Sequence, residues 1–362
     1  MDIIQTFQDL LDIPYPFEVD KLERDESKLE VHIYLRIADD HRPESGWIKH
    51  SYYDRSWEHL KLFEYRCFLH CTIPLYQNKK NKSTKALKVP FASYKKRFTH
   101  KYEKQVLFLL SVHYNFTQVA RQLNIAPYQV MNIYEHYVNP SYATYAIEPC
   151  ENIGIDETST KKGHNYITSF VDMDTGKILD ITDDRSCHAV KEFFDAHPNP
   201  TVIKNISMDM SPAFIKGCQD YFPKAKRTFD KWHVWKVVFK HLERLFKKYK
   251  KDDQILDKLN YFIQEFEVFY AQKNYEQANT QLLFLIDFIK EINEKNSLSK
   301  SLTKHFDGIV QHIQSKLTNG LLEGINSKIQ VIKRNARGFR YTDNFKKLIL
   351  FAFGSIQPSK LT

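Results

Sequence analysis

The sequence predicts a multi-domain α/β protein: a mixed-sheet core with a helical insertion, preceded by an α+β region and a helix-turn-helix. Three observations carry that prediction. The chain has 362 residues, 42% of them hydrophobic and 27% charged, enough for two or three domains that each bury a core. Between residues 150 and 234 the pattern runs β-β-β-α-β-α-β-α, an antiparallel meander followed by crossovers that place strands side by side. Residues 233–316 read as amphipathic helices, with Phe262, Phe266, Phe269 and Tyr270 at helical spacing.

The elements follow in order. Residues 1–75 mix short helix and strand signals. Leu29, Val31, Ile33, Leu35 and Ile37 alternate as one face of a strand over 28–37. Residues 65–74 resemble another, and 76–98 form a polar, lysine-rich connection near Pro90. Thr99 to Tyr114 reads as a helix with Val106, Leu109, Leu110 and His113 along one stripe. Thr117 is placed to N-cap a short helix carrying Val119, Ala120 and Leu123. Asn124 breaks it, Ile125 plugs the turn, and Pro127 suits the first turn of a second helix carrying Val130, Met131, Ile133 and Tyr134. Small Ala120 marks the crossing. This is a helix-turn-helix pattern over 99–140, whose second helix would present Tyr128, Gln129 and Asn132 to a major groove. Helical hairpins of this look also occur without DNA.

Asn139-Pro140-Ser141 marks a boundary. Beyond it, 152–155 form a strand ending in Asp156 and 164–171 form a second. Asp172 to Lys177 makes a hairpin turn in which Gly176 supplies the positive φ, and 177–181 form a third strand. A helix covers 187–196. A fourth strand, 202–208, ends in Asp209, after which Ser211-Pro212 opens a helix. A fifth, 225–229, ends in Asp230, and from Trp232 the chain is helical almost to its end. The expected division is therefore 1–98, 99–140, a core over 150–234, a helical insertion over 235–316, and a final helix with a basic tail over 317–362.

Charge and cysteine content narrow the function. No apolar run approaches the roughly 18 residues of a membrane span, and the Met-Asp start does not resemble a signal peptide. Five cysteines without regular spacing argue against a disulfide framework and for a reducing cytoplasm. The net charge of +9 is concentrated. Ten basic residues, among them Lys79, Lys80, Lys95, Lys96 and Arg97, stand against Glu103 alone in 78–104. Eight more lie in 320–362 against Glu323 and Asp343. The remainder is net acidic, a distribution that suggests two phosphate-facing surfaces.

Asp156, Asp209 and Asp230 each follow a predicted strand, and ligands of open α/β sheets bind beyond the carboxyl ends of strands. Two carboxylates at adjacent strand ends can share divalent cations, since Mg²⁺ takes one or two carboxylates plus waters and phosphate oxygens. A third carboxylate on a following helix would complete a two-metal site for phosphoryl displacement. Glu323 is the candidate. Its helix buries Leu322, Ile325, Ile329 and Ile332, and leaves Glu323 near groups able to hold a phosphodiester: Asn326, Lys333, Arg334 and Arg337.

Five ordered blocks carry a resemblance. They are Ile153-Gly154-Ile155-Asp156-Glu157 with Lys161 to Tyr166 and Val171-Asp172; Asp184-Arg185-Ser186; Ser207-Met208-Asp209-Met210-Ser211-Pro212-Ala213-Phe214; Phe229-Asp230-Lys231-Trp232-His233-Val234; and Glu323-Gly324-Ile325-Asn326-Ser327-Lys328-Ile329 with Lys333 to Arg340. Together with the helix-turn-helix they resemble the ISL3 insertion-sequence transposases, a DDE family with a ribonuclease H-like core. The resemblance implies that Asp156, Asp209 and Glu323 hold two Mg²⁺ (or Mn²⁺) ions, with Asp230 and His233 as accessory groups. It also implies cleavage of double-stranded DNA at element ends followed by strand transfer. The helix-turn-helix and the 78–104 lysines would bind terminal inverted repeats, while Arg334, Arg337 and Arg340 would grip the cleaved strand. A homodimer or larger assembly on DNA, in a bacterial cytoplasm at the nucleoid, is the expected setting. One departure stands out. Where the family carries a Cys-rich zinc module, this chain reads His41-Arg42-Pro43-Glu44-Ser45-Gly46 and Asn78-Lys79-Lys80-Asn81-Lys82-Ser83. Cys67 and Cys71 remain, four apart on a strand-like segment that cannot converge on one metal, so no zinc is expected. A transposase-derived DNA-binding protein without catalysis is the alternative.

Overall fold

A computed structural model describes residues 3–93, 96–160, 166–292, 297–317, 320–336, 342–354 and 356. Lys95, Arg337 and Arg340 lie outside the described residues, as does the 161–165 segment. The chain divides into two units at Tyr137/Val138.

The first unit opens with α1 (Ile3–Leu11) and a five-stranded sheet. Its strands are β1 (Phe17–Asp25), β2 (Glu30–Ile37), β3 (Trp47–Leu62), β4 (Tyr65–Asn78) and β5 (Thr84–Ala86). The order is β1-β2-β4-β3, with β5 also on β4; β2 and β4 run parallel and the other pairs antiparallel. The alternation seen in the sequence buries Ile33 and Leu35 of β2 and Cys67, Leu69, Cys71 and Ile73 of β4 against Phe17 and Trp57. β4 continues through Pro74, where the sequence suggested an end. Pro74 falls between the last β2 pair at Cys71 and the first β5 pair at Leu75, a gap in which a missing donor is tolerated. The 76–98 connection thus contains the end of β4 and all of β5.

The helical part is α2 (His100–His113), α3 (Phe116–Leu123) and α4 (Pro127–Ala143). The N-cap of α3 is Asn115, not Thr117: Asn115 Oδ1 accepts the Gln118 amide at 2.9 Å, satisfying a donor of the first turn. Asn124 ends α3 at φ +55°. Val119, Ala120, Leu123, Val130, Ile133 and Tyr134 are buried, whereas Met131 turns outward. α4 does not stop at the Asn139-Pro140-Ser141 boundary. Pro140 lies one turn from the end, so the helix forgoes a single amide donor and continues to Ala143.

The second unit carries β6 (Asn152–Ser159), β7 (Tyr166–Asp172), β8 (Ile178–Asp183), α5 (Cys187–Ala196), β9 (Asn205–Met208), α6 (Pro212–Tyr221), β10 (Lys226–Phe229) and α7 (Lys231–Lys248). This is the expected β-β-β-α-β-α-β-α order. The sheet runs β10-β9-β6-β7-β8, with β6-β7-β8 antiparallel and β10-β9-β6 parallel. Gly176 closes the β7–β8 hairpin at φ +74°. The helices α8 (Asp253–Ala271), α9 (Tyr275–Ile292), α10 (Ser297–Lys304) and α11 (Phe306–Ser315) form the predicted helical stretch. Phe262, Phe266, Phe269, Leu282, Leu285 and Ile289 are fully buried and join the core under the sheet. α12 (Gly320–Asn335) and α13 (Thr342–Phe353) follow. Among the described residues no helix is long and apolar enough to cross a membrane.

Candidate active site

The parallel register brings three aspartates to one level. Gly154 of β6 pairs with Ser207 of β9, and Met208 of β9 pairs with Phe229 of β10. Continued along the strands, that register sets Asp156, Asp209 and Asp230 side by side. Asp209 and Asp230 follow their strands as expected. Asp156 does not: β6 runs on to Ser159 because β7 still pairs with it, Asp156 opposite Ser169. What ends at Gly154 is only the ladder to β9, so Asp156 still stands beyond the parallel pairing.

Each carboxylate is held locally. Asp156 Oδ1 accepts the Glu157 amide at 2.8 Å. Asp209 Oδ1 accepts the Ser211 amide at 2.9 Å, fixing the turn into α6. Asp230 N-caps α7, taking the Trp232 and His233 amides at 2.5 and 3.1 Å. Burial, then the charge of Asp209, pushes the Asp156 carboxyl up to about 6 against the pull of the Glu157 amide and His233. Burial also works against the charge of Asp230, but His233 and the α7 amides outweigh it and hold that carboxyl below its ordinary range. The Asp230 carboxylate raises the pKa of His233, with Asp209 and Asp156 adding to it; Nδ1 lies 3.7 Å from Asp230 Oδ1.

Gly154, Asp156 and Thr158 share one face of β6, and α12 lies over it. A Cβ on Gly154 would meet Leu322 at 2.7 Å, so the helix comes as close as a bare backbone allows. Asn326 Nδ2 donates to Asp156 Oδ2 at 2.5 Å, and its Oδ1 accepts the Thr158 hydroxyl at 2.6 Å. Lys333 Nζ donates to the Ser159 carbonyl at 2.7 Å. Asn326 and Lys333, read as phosphodiester ligands, each tie α12 to β6 through these bonds. The sequence left this positioning role unseen; a polar residue one turn after Glu323 was its only trace. Arg334 is exposed in the last turn.

Glu323 is one helical turn before Asn326, hence beside it on the helix surface. It is exposed and lines a cavity of about 860 Å³ together with Asp230, Trp232, Trp235 and His312. The structure therefore brings Asp156, Asp209, Asp230 and His233 to one sheet end and sets Glu323 at its rim. Among the described residues no three ligating side chains converge on a single point. The donor chemistry nonetheless fits a hard divalent cation. Two carboxylates stand level on adjacent strands, and the charged form of one is disfavoured by burial and by the other, a strain that a cation between them would relieve.

In the first unit Tyr128 is 64% exposed and Asn132 is also exposed. Gln129 is half-buried, and its Oε1 accepts the Ala126 amide at 2.9 Å, so it caps α4. Lys79 and Lys80 are exposed in the turn after β4, which Asn78 shapes by accepting the Lys80 amide. Arg97 is exposed and Lys96 half-buried. Cys67 and Cys71 point into the core of the unit, where burial pushes both thiols up to about 12, so they pack as protonated side chains.

Comparison with known proteins accords with this arrangement. The model of the ISL3 transposase family, described as "Transposase", matches residues 153–259 and 244–349, more than half of the chain and all of its acidic constellation. A second, described as the helix-turn-helix domain of transposase family ISL3, matches 87–138. The transposase for insertion sequence element IS1001 of Bordetella parapertussis is 23% identical over 286 residues, which is 66% of this chain and 70% of that protein. The chain belongs to the ISL3 family of DDE transposases.

Proposed function

We propose that the protein is the transposase of a bacterial insertion sequence, which binds the terminal inverted repeats and catalyses DNA strand cleavage and strand transfer. The observation that carries this reading is the level pair Asp156 and Asp209 at the ends of β6 and β9, with α12 tied to Asp156 by Asn326. We take the β10-β9-β6-β7-β8 sheet of the second unit as a ribonuclease H-like core. Asp156, Asp209 and Glu323 would hold two Mg²⁺ or Mn²⁺ ions, which when bound polarise the scissile phosphate and lower the pKa of the attacking hydroxyl. Asn326 keeps the Asp156 carboxylate aimed. His233, whose pKa the Asp230 carboxylate raises, would stand ready to give a proton to the departing 3′-oxygen as the P–O bond breaks. Arg334, with Arg337 and Arg340, would neutralise the strand phosphates. Tyr128 and Asn132 would reach base edges, while Lys79, Lys80 and Arg97, with Lys95 and Lys96, would contact the backbone. Two DNA ends must be processed together, so a homodimer or larger assembly would form on DNA.

The test is cleavage of a duplex carrying the repeats that flank the coding region, in Mg²⁺. Asp156→Asn and Glu323→Gln should each lower cleavage by about 10³-fold or more while keeping DNA binding. Unchanged cleavage in Asp156→Asn overturns the catalytic assignment, and binding without cleavage by the unaltered protein would make it a DNA-binding derivative of a transposase.

A further inference from the structure

α7 buries one side and leaves the other bare. Val234, Val238, Leu242 and Leu245 face the core. On the outer side, one turn apart, stand Trp232, then Trp235 and Lys236, then Phe239 and Lys240. Trp232 is 56% exposed and Phe239 45% exposed. Trp235 stacks on Phe239 with centroids 4.9 Å apart and is braced from behind by Phe266, edge-on at 4.8 Å. Lys236 Nζ lies 5.0 Å from the Trp232 ring. These side chains form one wall of the cavity whose rim includes Asp230 and Glu323. His312 lines the same cavity, and its Nδ1 is buried with no hydrogen-bond partner among the described residues.

Two large aromatic faces on the solvent side of a helix, interleaved with lysines, match a ligand that is both flat and anionic. Base stacking on aromatic rings, with phosphates held by neighbouring cations, is how proteins take single-stranded nucleic acid without reading its sequence. A paired duplex cannot use this wall because its base faces are already stacked, so the occupant must be unpaired or extruded. The wall begins at Asp230, the N-cap of α7, and the cavity it lines reaches Glu323.

We propose that the α7 cleft binds an unpaired segment of the DNA substrate, its bases stacked on Trp232 and on Phe239, which Trp235 backs, and its phosphates against Lys236 and Lys240. This rests on the transposase reading and deepens it: the strand beside the scissile phosphate is drawn out of the duplex into this cleft.

The experiment uses the full chain in EDTA, with fluorescence anisotropy on two probes of about twelve nucleotides, single-stranded oligothymidylate and a mixed-sequence duplex. Trp232→Ala with Phe239→Ala should weaken the single-strand probe by about tenfold or more and leave duplex affinity unchanged. Trp232→Phe with native Phe239 should retain most of the single-strand affinity. With 2-aminopurine in the single strand, binding should quench its fluorescence in the native chain and not in the double variant. Unchanged single-strand affinity, or equal losses on both probes, overturns the proposal. So does a dimer that dissociates in the double variant with single-strand affinity intact, which would assign the face to a second copy. Asp156→Asn separates the two readings: it should bind both probes like the native chain and fail only to cleave, so normal cleavage by that variant sinks the transposase assignment whatever the single-strand probe does.

Discussion

Asp156 is a conflict held in place. Its carboxyl is buried, neighboured by Asp209, and bonded by Asn326 and the Glu157 amide. The native protein keeps its proton up to about pH 6, whereas an ordinary aspartate releases it near 3.8. Across that window the folded chain binds more protons than the unfolded one, so stability falls as pH rises through it. The cost of the ionised form at pH 8 is roughly 2–3 kcal/mol at most. Asp156→Asn removes that charge and should raise the melting temperature of the metal-free protein at pH 8 by about 2–6 °C. The gain should shrink as the pH is lowered and vanish below about pH 4. A variant melting below the native protein at pH 8 would show that Asn326 and the Glu157 amide already repay the burial. Neither that conflict nor the role of Asn326 could be read from residue spacing, because both depend on which strand and which helix meet.

The elements differ in how plainly the sequence announced them. The β6–β10 order, the β7–β8 turn and the helical stretch were legible because their apolar periodicities are clean and Gly176 and Ser211-Pro212 punctuate them. β1 and β3 were not. β1 carries the charged run Asp20, Lys21, Glu23, Arg24 and Asp25, and β3 shifts register at 49/51 and 59/62, which scrambles the alternation. Asp156 was legible as an acid at a strand end, but not as a mid-strand residue, since the extent of β6 is set by its partner β7 rather than by its own residues. The joint that matters most for the site is α12 on β6. Gly154 permits it: a Cβ there would meet Met173 Sδ at 2.5 Å and Leu322 at 2.7 Å, the residue next to Glu323. Gly154→Ala should therefore push α12 outward, destabilise the protein by about 1–3 kcal/mol, and lower cleavage by about tenfold or more with DNA affinity intact. Urea unfolding and a cleavage assay on the folded fraction separate the two effects. Full specific activity in the folded fraction would mean that Leu322 yields and Glu323 stays in place.

Charge is the property of the whole molecule, and it is distributed by task. The lysine-rich turn after β4 and the outward side of α4 belong to the first unit, whereas the second carries Asp156, Asp209, Asp230 and Glu323. The surface lysines and the exposed side chains of α4 should act on DNA in different ways. Lys79, Lys80 and Lys82 stand in a turn shaped by Asn78 and Asn81, a form suited to phosphates but not to base edges. Replacing all three by alanine should weaken binding to repeat-bearing and unrelated duplexes in equal proportion. It should also flatten the dependence of log affinity on log salt by about 2–3, close to one released counterion per lost contact. Tyr128→Ala with Asn132→Ala should instead leave the salt slope almost unchanged and narrow the preference for repeat-bearing DNA, since each lost base contact is worth about 1–3 kcal/mol of discrimination. Gln129→Ala should act mainly on the stability of α4, because its amide oxygen already caps the helix. Titrations of each variant on both duplexes at several salt concentrations decide the matter: a lysine variant that loses preference, or an α4 variant that loses only salt slope, would reverse which surface positions the DNA and which one reads it.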